Sequence, residues 1–267
     1  MYVHPKKALG QHFLKDISVA QRIVEALCSA PIPQQYGFAE QIPVLEVGPG
    51  TGVLTQFLLE RSDIDLRTVE IDTESILYLL THFPELEGRI IEGDFLKIDL
   101  RLFYASPFLV IGNFPYNISS QIFFKILEER ERIPVVVGML QKEVAERIAA
   151  PAGSKTYGIL SVLLQAWYDI EVLFTVPAHL FMPPPKVQSA VVRLVRNGRL
   201  TLPCSEPLFK QVVKATFNQR RKAIRNSIKQ VTGAALVPQH PMLALRPEQL
   251  GVAQFVELTN FVDAILN

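Results

Sequence analysis

The sequence predicts an α/β fold with a doubly wound parallel sheet, followed by a smaller all-helical domain. Three observations predict it. Short apolar runs alternate with amphipathic helical stretches over most of the chain. The first clear apolar run leads into a glycine-rich turn and then a helix, which is typical of open α/β sheets. Beyond Pro203 the strand pattern ends and only helical patterns remain.

Length and composition limit the class of protein. The chain has 267 residues, 49% of them hydrophobic, which fits one large α/β domain or one domain with a smaller appendage. No apolar stretch approaches the eighteen or so residues that span a bilayer, and residues 1–15 lack the apolar segment of a secretion signal. Cys28 and Cys204 lack metal-ligand spacing. We therefore expect a cytoplasmic protein with reduced cysteines, no metal and no membrane contact.

Charge is unevenly distributed along the chain. The formal net charge is +1, yet the segment from Lys186 to Lys229 holds eleven Lys and Arg residues against one acid, Glu206. Such a segment would present a basic face to a polyanion. A solvated, charged helix surface is the alternative interpretation.

The N-terminal arm, residues 1–16, precedes any clear periodicity. Its second half mixes charged residues, an aromatic residue and glycine, which suggests a lid or a binding arm, although a frayed charged tail would look similar. An amphipathic helix follows, with Ser18 as its predicted N-cap and an apolar face that includes Ile23 and Leu27.

A cofactor cradle is predicted where residues 44–47 form a strand and residues 48–52 form a glycine-rich turn. Glycines such as Gly48 and Gly50 let a ligand approach the backbone closely. A second strand ends at Glu70, twenty residues past Gly50, where an acid can accept hydrogen bonds from both hydroxyls of a ribose. The glycines alone would fit a dinucleotide dehydrogenase equally well.

The third strand, near residues 90–92, leads to Asp94 and Phe95. Asp94 could accept a hydrogen bond from an adenine amino group, with Phe95 beside the ring. A plain Gly-Asp turn is the alternative. The fourth strand, residues 108–111, is followed by Gly112 and then by Asn113-Phe114-Pro115-Tyr116. This tetrapeptide therefore lies at the carboxyl end of a strand, where open α/β sheets bind their ligands.

The residue types of this tetrapeptide suit the methylation of an exocyclic amine on a nucleobase. The lone pair of such an amine is delocalised into the ring, so acceptors on its hydrogens are needed to redirect it. The side-chain carbonyl of Asn113 and the backbone carbonyl of Pro115 can supply them. Tyr116 offers a face on which a flipped-out base can stack. An ordinary strand-to-helix turn would use similar residues.

The remaining pattern completes the sheet and adds helices. We expect a helix over 119–129, a strand over 135–139, a helix from Leu140 to about Ala150, and a terminal hairpin of strands near 170–174 and 189–195. Three consecutive prolines join the hairpin and are expected to hold Phe181 rigidly at the edge of the site. A long helix over 208–231 and another over 254–266 form the second domain.

Six sequence motifs, in this order, resemble those of the bacterial 16S rRNA adenine dimethyltransferase family, and the resemblance covers residues 7–266. They are LGQHFL at 9–14, EVGPGTG at 46–52, NFPYNIS at 113–119, LQKEV at 140–144, PPPKVQSAVVR at 183–193 and FNQRRKAIR at 217–225. At two positions this sequence differs from the residue that is most common in the family. His12 stands where asparagine is more common, and Phe114 stands where leucine is more common.

The resemblance implies a Rossmann-like S-adenosylmethionine-dependent methyltransferase domain over residues 1–199 and a helical RNA-binding domain over 200–267. Three sets of residues follow from it and from the patterns above. Cofactor contacts are expected at His12, Leu14, Gly48, Gly50, Glu70, Ile71, Asp94, Phe95 and Asn113. Catalytic roles are expected for Asn113, Pro115, Tyr116 and Phe181, and RNA contacts for Lys186, Arg220, Arg221, Lys222 and Arg225. No metal is expected.

The implied substrate is a pair of neighbouring adenosines in a hairpin loop near the 3′ end of the small-subunit rRNA, each methylated twice. The expected partner is therefore 16S rRNA in an immature small ribosomal subunit, bound by a monomeric protein with a role in subunit biogenesis. A 23S rRNA adenine methylase of the macrolide-resistance type is the first alternative. A ribosome-assembly factor that is mainly non-catalytic is the second.

Overall fold

The computed structural model describes residues 3–38, 40–233 and 238–267. The described chain forms two compact units. The first unit runs to Ala145 and resumes over Asp169–Arg196, and the second comprises Glu146–Tyr168 and Asn197–Asn267. We expected one boundary near residue 200 and placed Glu146–Tyr168 with the sheet. These residues join the second unit because one helix among them, Ile159–Gln165, packs on the helix Glu206–Asn218.

The first unit is built on a seven-stranded sheet. Its strands are β2 (Ile42–Val47), β3 (Ile64–Glu70), β4 (Ile90–Glu92), β5 (Leu109–Asn113), β6 (Val135–Gln141), β7 (Tyr168–Val176) and β9 (Ser189–Arg196). They lie in the order β4-β3-β2-β5-β6-β9-β7. The first five are parallel to their neighbours, and β9 runs antiparallel to β6. This confirms the predicted α/β fold and its Rossmann-like sheet.

The helices of the first unit follow the strands. They are α1 (Ile17–Cys28), α2 (Thr55–Leu59), α3 (Thr73–His82) and α4 (Ser119–Glu128), and α5 (Lys142–Ala149) begins in this unit and ends in the second. The four-residue apolar centre of β5 is fully buried because helices cover both faces of a parallel sheet. α1 buries Ile23 and Leu27 in the core formed with β2, β5 and β6. The predicted helix at Leu140 begins two residues later, since β6 continues to Gln141.

A two-stranded sheet fixes the N-terminal arm. β1 (Phe13–Leu14) pairs antiparallel with β8 (Phe181–Met182), so that Leu14 lies opposite Phe181. The helix that follows is capped by Asp16, whose carboxylate accepts hydrogen bonds from the Val19 amide at 3.0 Å and the Ser18 hydroxyl at 2.6 Å. The prediction of Ser18 as the N-cap was therefore wrong by two residues. Ser18 supports the cap instead.

The second unit is helical. Its helices are α6 (Ile159–Gln165), α7 (Glu206–Asn218), α8 (Ile224–Ser227), α9 (Lys229–Thr232) and α10 (Val252–Leu266). The single long helix that we predicted over 208–231 is broken. Ala223 is extended, with φ −64° and ψ 147°, and the amide of Ile224 donates to the Leu245 carbonyl at 2.9 Å instead of continuing the helix. None of the described helices is long and apolar enough to cross a membrane.

Candidate active site

The predicted site residues meet at the carboxyl edge of the parallel strands. Gly48 directly follows β2, Glu70 ends β3 and Asn113 ends β5. Because these three strands are neighbours in register, their ends enclose one cleft, which we call the cofactor cleft. It is lined by Leu9, Gly10, Gln11, His12, Phe13, Gly48, Gly50, Glu70, Ile71, Asn113, Phe114, Pro115 and Tyr116.

Glu70 organises the floor of the cofactor cleft. Its carboxylate accepts hydrogen bonds from the backbone amides of Gly50 at 3.1 Å, Ile71 at 2.8 Å and Asp72 at 3.0 Å. Burial raises the pKa of Glu70, and the three amides partly offset that effect by stabilising the charged form. One carboxylate oxygen, Oε2, receives a single amide and so retains a lone pair for a ligand hydroxyl.

The glycine turn fits a cofactor that lies against the backbone. Gly48 has φ +67°, and a Cβ built there would meet no atom within 4 Å. Gly50 has φ +57°, and a Cβ built there would come within 2.8 Å of the Phe13 ring. The left-handed backbone favours glycine at both positions, and the space above Gly48 is open to a ligand. Phe13 of the arm covers the turn at Gly50.

A second cavity continues the cofactor cleft on the side of β4. It has a volume of about 150 Å³, and its lining includes Ile71, Asp94 and Phe95. Asp94 is half-buried and accepts a hydrogen bond from the Leu96 amide at 3.0 Å. Ile71 is an apolar side chain that is 48% exposed at this edge, where the flat face of an adenine could cover it. The acid, the aromatic residue and the apolar residue predicted around the adenosine are thus brought together.

The amide of Asn113 has a fixed orientation. Its Nδ2 donates to the backbone carbonyl of His12 at 2.9 Å, which leaves Oδ1 as the atom available to accept a hydrogen bond. The Pro115 carbonyl accepts the Ile118 amide at 3.2 Å and keeps a second lone pair. Two carbonyl oxygens of the tetrapeptide are therefore available as acceptors.

Tyr116 and His12 form a stacked pair beside this amide. Their ring centroids are 5.1 Å apart and their planes differ by 29°. The hydroxyl of Tyr116 is hydrogen-bonded to Ser189 Oγ, and burial raises the pKa of Tyr116, so that the phenol stays neutral. His12 Nδ1 donates to the Pro183 carbonyl at 2.7 Å. His12, which replaces the more common asparagine, thereby joins the arm to the triple-proline segment.

A larger cavity of about 570 Å³, which we call the outer cavity, shares Gly10, Gln11, His12 and Tyr116 with the cofactor cleft. His12, Tyr116 and Lys186 contribute to its lining, together with Gln141 and the three prolines. Its volume falls in the range of small-molecule sites, which runs from roughly 300 to 1,000 Å³. It can accept a flipped nucleobase next to the cofactor cleft.

Phe181 and Leu14 do not lie where we expected them. Phe181 is fully buried, and Leu14 is 3% exposed, and both belong to the hydrophobic core. The β1–β8 pairing turns these two side chains inward. A fully buried ring offers no face to a base, so Phe181 packs the core in this structure and does not close the base site. Leu14 can reach a cofactor only through its backbone.

The ring of Phe114 is accommodated by two glycines. A Cβ on Gly138 would lie 2.3 Å from the ring, and one on Gly112 would lie 3.0 Å from it. Phe114 is fully buried there, directly after Asn113. The larger residue at this position therefore depends on glycines in β5 and β6.

We expect Gly138→Ala to lower the free energy of unfolding by about 2 kcal/mol, because overpacking a filled core typically costs 1–3 kcal/mol. Phe114→Leu in the same chain should recover most of that loss. Urea unfolding of the two single variants and the double variant gives the coupling energy. Additive losses would show that the Phe114 ring is not what the new methyl group meets.

The predicted RNA-binding residues differ in the exposure and hydrogen bonding of their side chains. In the first unit, Lys186 is exposed and lines the outer cavity. In the second unit, Arg221, Lys222 and Arg225 are exposed. Arg220 instead donates to the carbonyls of Ser154 at 3.3 Å and Lys155 at 2.5 Å, which ties it to a loop of its own unit.

The sequence motifs did not predict several residues of the site. Phe13 and Gln11 line the cofactor cleft, and Ser189 holds the Tyr116 hydroxyl. They act through contacts between distant parts of the chain, which spacing alone does not reveal. For Phe13 and Gln11, the only signal in the sequence was that the arm mixes charged residues, an aromatic residue and glycine. The described residues contain no group of three or more His, Cys, Asp or Glu side chains placed to hold a metal ion.

The seven-stranded sheet, the glycine turn with its acid and the Asn-Phe-Pro-Tyr segment define an S-adenosylmethionine-dependent methyltransferase. The family model for ribosomal RNA adenine dimethylase matches residues 3–248. The chain belongs to this family.

Relatives and solved structures agree with this assignment. The ribosomal RNA small subunit methyltransferase A of Parabacteroides distasonis is 60% identical over 259 residues, which cover 96% of this chain and 93% of that protein. A dimethyladenosine transferase from Plasmodium falciparum superimposes with a TM-score of 0.74 at 25% identity, over 92% of this chain and 96% of that one. The 23S rRNA methyltransferase ErmE superimposes with a TM-score of 0.64 at 25% identity, over 94% and 99%.

Proposed function

We propose that this protein dimethylates two adjacent adenosines in the 3′-terminal hairpin loop of 16S rRNA, within an immature small ribosomal subunit in the cytoplasm. The observation that carries this proposal is the orientation of Asn113, whose amide nitrogen is held by the His12 carbonyl while Oδ1 is available beside the Pro115 carbonyl and Tyr116. This arrangement suits a planar amine that needs two hydrogen-bond acceptors.

The residues of the chain orient the amine and stabilise its charge. S-adenosylmethionine, when bound, supplies the electrophilic methyl group. Oδ1 of Asn113 and the carbonyl oxygen of Pro115 accept the two amine hydrogens, which directs the nitrogen lone pair out of the ring plane. The nitrogen becomes cationic as the bond forms, so its proton can leave afterwards and no strong base is required.

Tyr116 supports the base from one side. Its hydroxyl is held by Ser189 and its ring is stacked on His12, so the aromatic face keeps a fixed position. A neutral phenol ring stacks on adenine and favours a passing positive charge by a cation–π interaction. The outer cavity leaves room for the methyl group of a monomethylated amine, which the second transfer requires.

Similarity favours a small-subunit substrate over a large-subunit one. The small-subunit methyltransferase A of P. distasonis is 60% identical to this chain, whereas the 23S methyltransferase ErmE is 25% identical. The Asn113–Tyr116 segment also supports an active enzyme over a purely non-catalytic assembly factor. A nicotinamide dehydrogenase would leave this segment without a role.

The first test is transfer of tritiated methyl groups to undermethylated small subunits, mature small subunits and large subunits in separate reactions. Two dimethylated adenosines correspond to four methyl groups per undermethylated small subunit, with little label on the other particles. Label on large-subunit RNA would move the substrate to the 23S class. Binding to small subunits without any label would favour an assembly factor.

Phosphate contacts in the second unit are tested by salt dependence. We expect the Arg221→Gln/Lys222→Gln variant to bind RNA more weakly at all sequences, with the slope of log K against log salt reduced by about 2, since each phosphate contact contributes about one. Filter binding between 50 and 300 mM salt measures the slope. Glu257→Gln, at an exposed acid of the same unit, serves as the control. An unchanged slope would remove both side chains from the RNA contact.

A further inference from the structure

The N-terminal arm forms a wall of the cofactor cleft. Residues 9–13 line the cleft, and the ring of Phe13 lies over Gly50. With the arm in this position the cofactor cleft and the adjoining cavity have volumes of only about 50 and 150 Å³. Small-molecule sites offer roughly 300 Å³ or more. The arm therefore narrows the space that a cofactor must enter.

Asp72 holds the arm in this closed position. Its side chain is 2% exposed and forms an ion pair with Lys6 Nζ through Oδ1. The other oxygen, Oδ2, accepts a hydrogen bond from Gln11 Nε2 at 3.3 Å, and the Lys6 amide donates to Gln11 Oε1 at 2.8 Å. One buried carboxylate thus binds two arm residues that also bind each other.

The surroundings of Asp72 keep it charged. Burial alone would raise its pKa, but hydrogen bonds from Lys6, Gln11 and Ser75 outweigh burial and lower the pKa. Asp72 is also the N-cap of α3, where it accepts the Glu74 amide at 3.3 Å. Glu74 adds a second acid, 3.4 Å from Lys6 Nζ. The arm cation therefore meets two carboxylates.

The closed arm also determines the orientation of Asn113. Gln11 is followed by His12, whose backbone carbonyl accepts the Asn113 amide hydrogen. A shift of the arm at Gln11 would remove that acceptor and release the amide. The path from Asp72 to the reacting atoms is thus two hydrogen-bonded steps long.

We propose that Asp72 is a positioning residue, which holds the N-terminal arm closed through Lys6 and Gln11 and so controls both cofactor exchange and the orientation of the Asn113 amide. The part concerning Asn113 rests on the proposed function. The part concerning cofactor exchange rests only on the methyltransferase site. The pair is half-exposed at Lys6, so its strength decreases with salt.

The test uses Asp72→Asn and Lys6→Met. Asparagine is as good an N-cap as aspartate, so Asp72→Asn keeps the cap of α3 while removing the ion pair. Lys15→Met, at an exposed lysine of the same arm, is the matched control. Stopped-flow release of S-adenosylhomocysteine from the RNA-free protein should be about tenfold faster in both test variants and unchanged in the control. Backbone hydrogen exchange of the cofactor-free protein should increase in the arm.

Further measurements separate positioning from general stability. The double variant Asp72→Asn/Lys6→Met should accelerate release of S-adenosylhomocysteine by less than the product of the two single effects, because both substitutions remove the Lys6–Asp72 ion pair. If the proposed function also holds, the single variants lower kcat on undermethylated small subunits as well as raising KM for the cofactor. Unchanged release and unchanged arm exchange in Lys6→Met would overturn the proposal. Altered cofactor release without methylation of small subunits would contradict only the proposed substrate.

Discussion

Replacing Asn113 by alanine is expected to reduce methyl transfer about a thousandfold at saturating cofactor. Removing one preorganised hydrogen-bonding group from a transition state typically costs 10²–10³ in rate, and a thousandfold corresponds to roughly 4 kcal/mol. The substitution removes the Oδ1 acceptor and also releases the His12 carbonyl. Without the Oδ1 acceptor, the lone pair of the amine stays delocalised into the ring. Single-turnover transfer to undermethylated small subunits measures the loss.

Two further variants sharpen this test. Asn113→Asp keeps acceptor oxygens but cannot donate to the His12 carbonyl, so its loss should lie between those of wild type and alanine. Asn260→Ala removes an exposed asparagine of the second unit and controls for the substitution itself. Transfer by Asn113→Ala within tenfold of wild type would show that this amide is not the catalytic acceptor.

The parallel sheet and the position of its ligand edge could be predicted because the responsible signals are local. A buried strand of a parallel sheet is a continuous apolar run, and only Gly112 separates the run at 108–111 from Asn113. The same holds for the glycine turn and for Glu70. Side chains that follow neighbouring parallel strands meet at one edge, so the candidate site followed from the strand order.

The features that were missed depend on contacts between distant residues. In the sequence, Phe181 is an aromatic residue next to a rigid proline segment. Its strand pairing with Leu14, which is far away in sequence, directs the Phe181 side chain into the core. The helix predicted over 208–231 has a continuous apolar stripe, and Phe217, Ile224 and Ile228 are indeed buried. The break between them is set by the hydrogen bond to Leu245, which periodicity cannot detect.

Replacing Glu46 is the second change with a large expected effect, here on the free energy of unfolding. This acid lies in β2, 1% exposed, and accepts a hydrogen bond from Thr55 Oγ1 at 2.7 Å. Burial raises the pKa of Glu46 to about 8, and the nearby Glu70 carboxylate also raises it. Glu46 is therefore protonated and neutral in the folded protein at neutral pH, whereas an unfolded chain releases that proton near pH 4.5.

The sign of the pH dependence follows from this difference. Between about pH 4.5 and pH 8 the folded state binds one proton more than the unfolded state at this residue, so the free energy of unfolding falls as pH rises. The slope is about 1.4 kcal/mol per pH unit, and the cumulative loss at pH 7 is about 3 kcal/mol. Below pH 4.5 Glu46 is protonated in both the folded and the unfolded state, so this residue no longer lowers the free energy of unfolding.

We therefore expect Glu46→Gln to be about 3 kcal/mol more stable than wild type at pH 7 and nearly equal to it at pH 4.5. Glutamine is neutral at every pH and its side-chain carbonyl still accepts the Thr55 hydroxyl. Urea unfolding of both proteins at half-unit intervals from pH 4.5 to pH 8 isolates this residue together with its coupling to Glu70, because the groups that do not interact with Glu46 titrate alike in the two chains. Glu60→Gln, at an exposed acid that follows α2, is the matched control. Parallel stability curves for wild type and Glu46→Gln would mean that Glu46 is ionised in the folded protein.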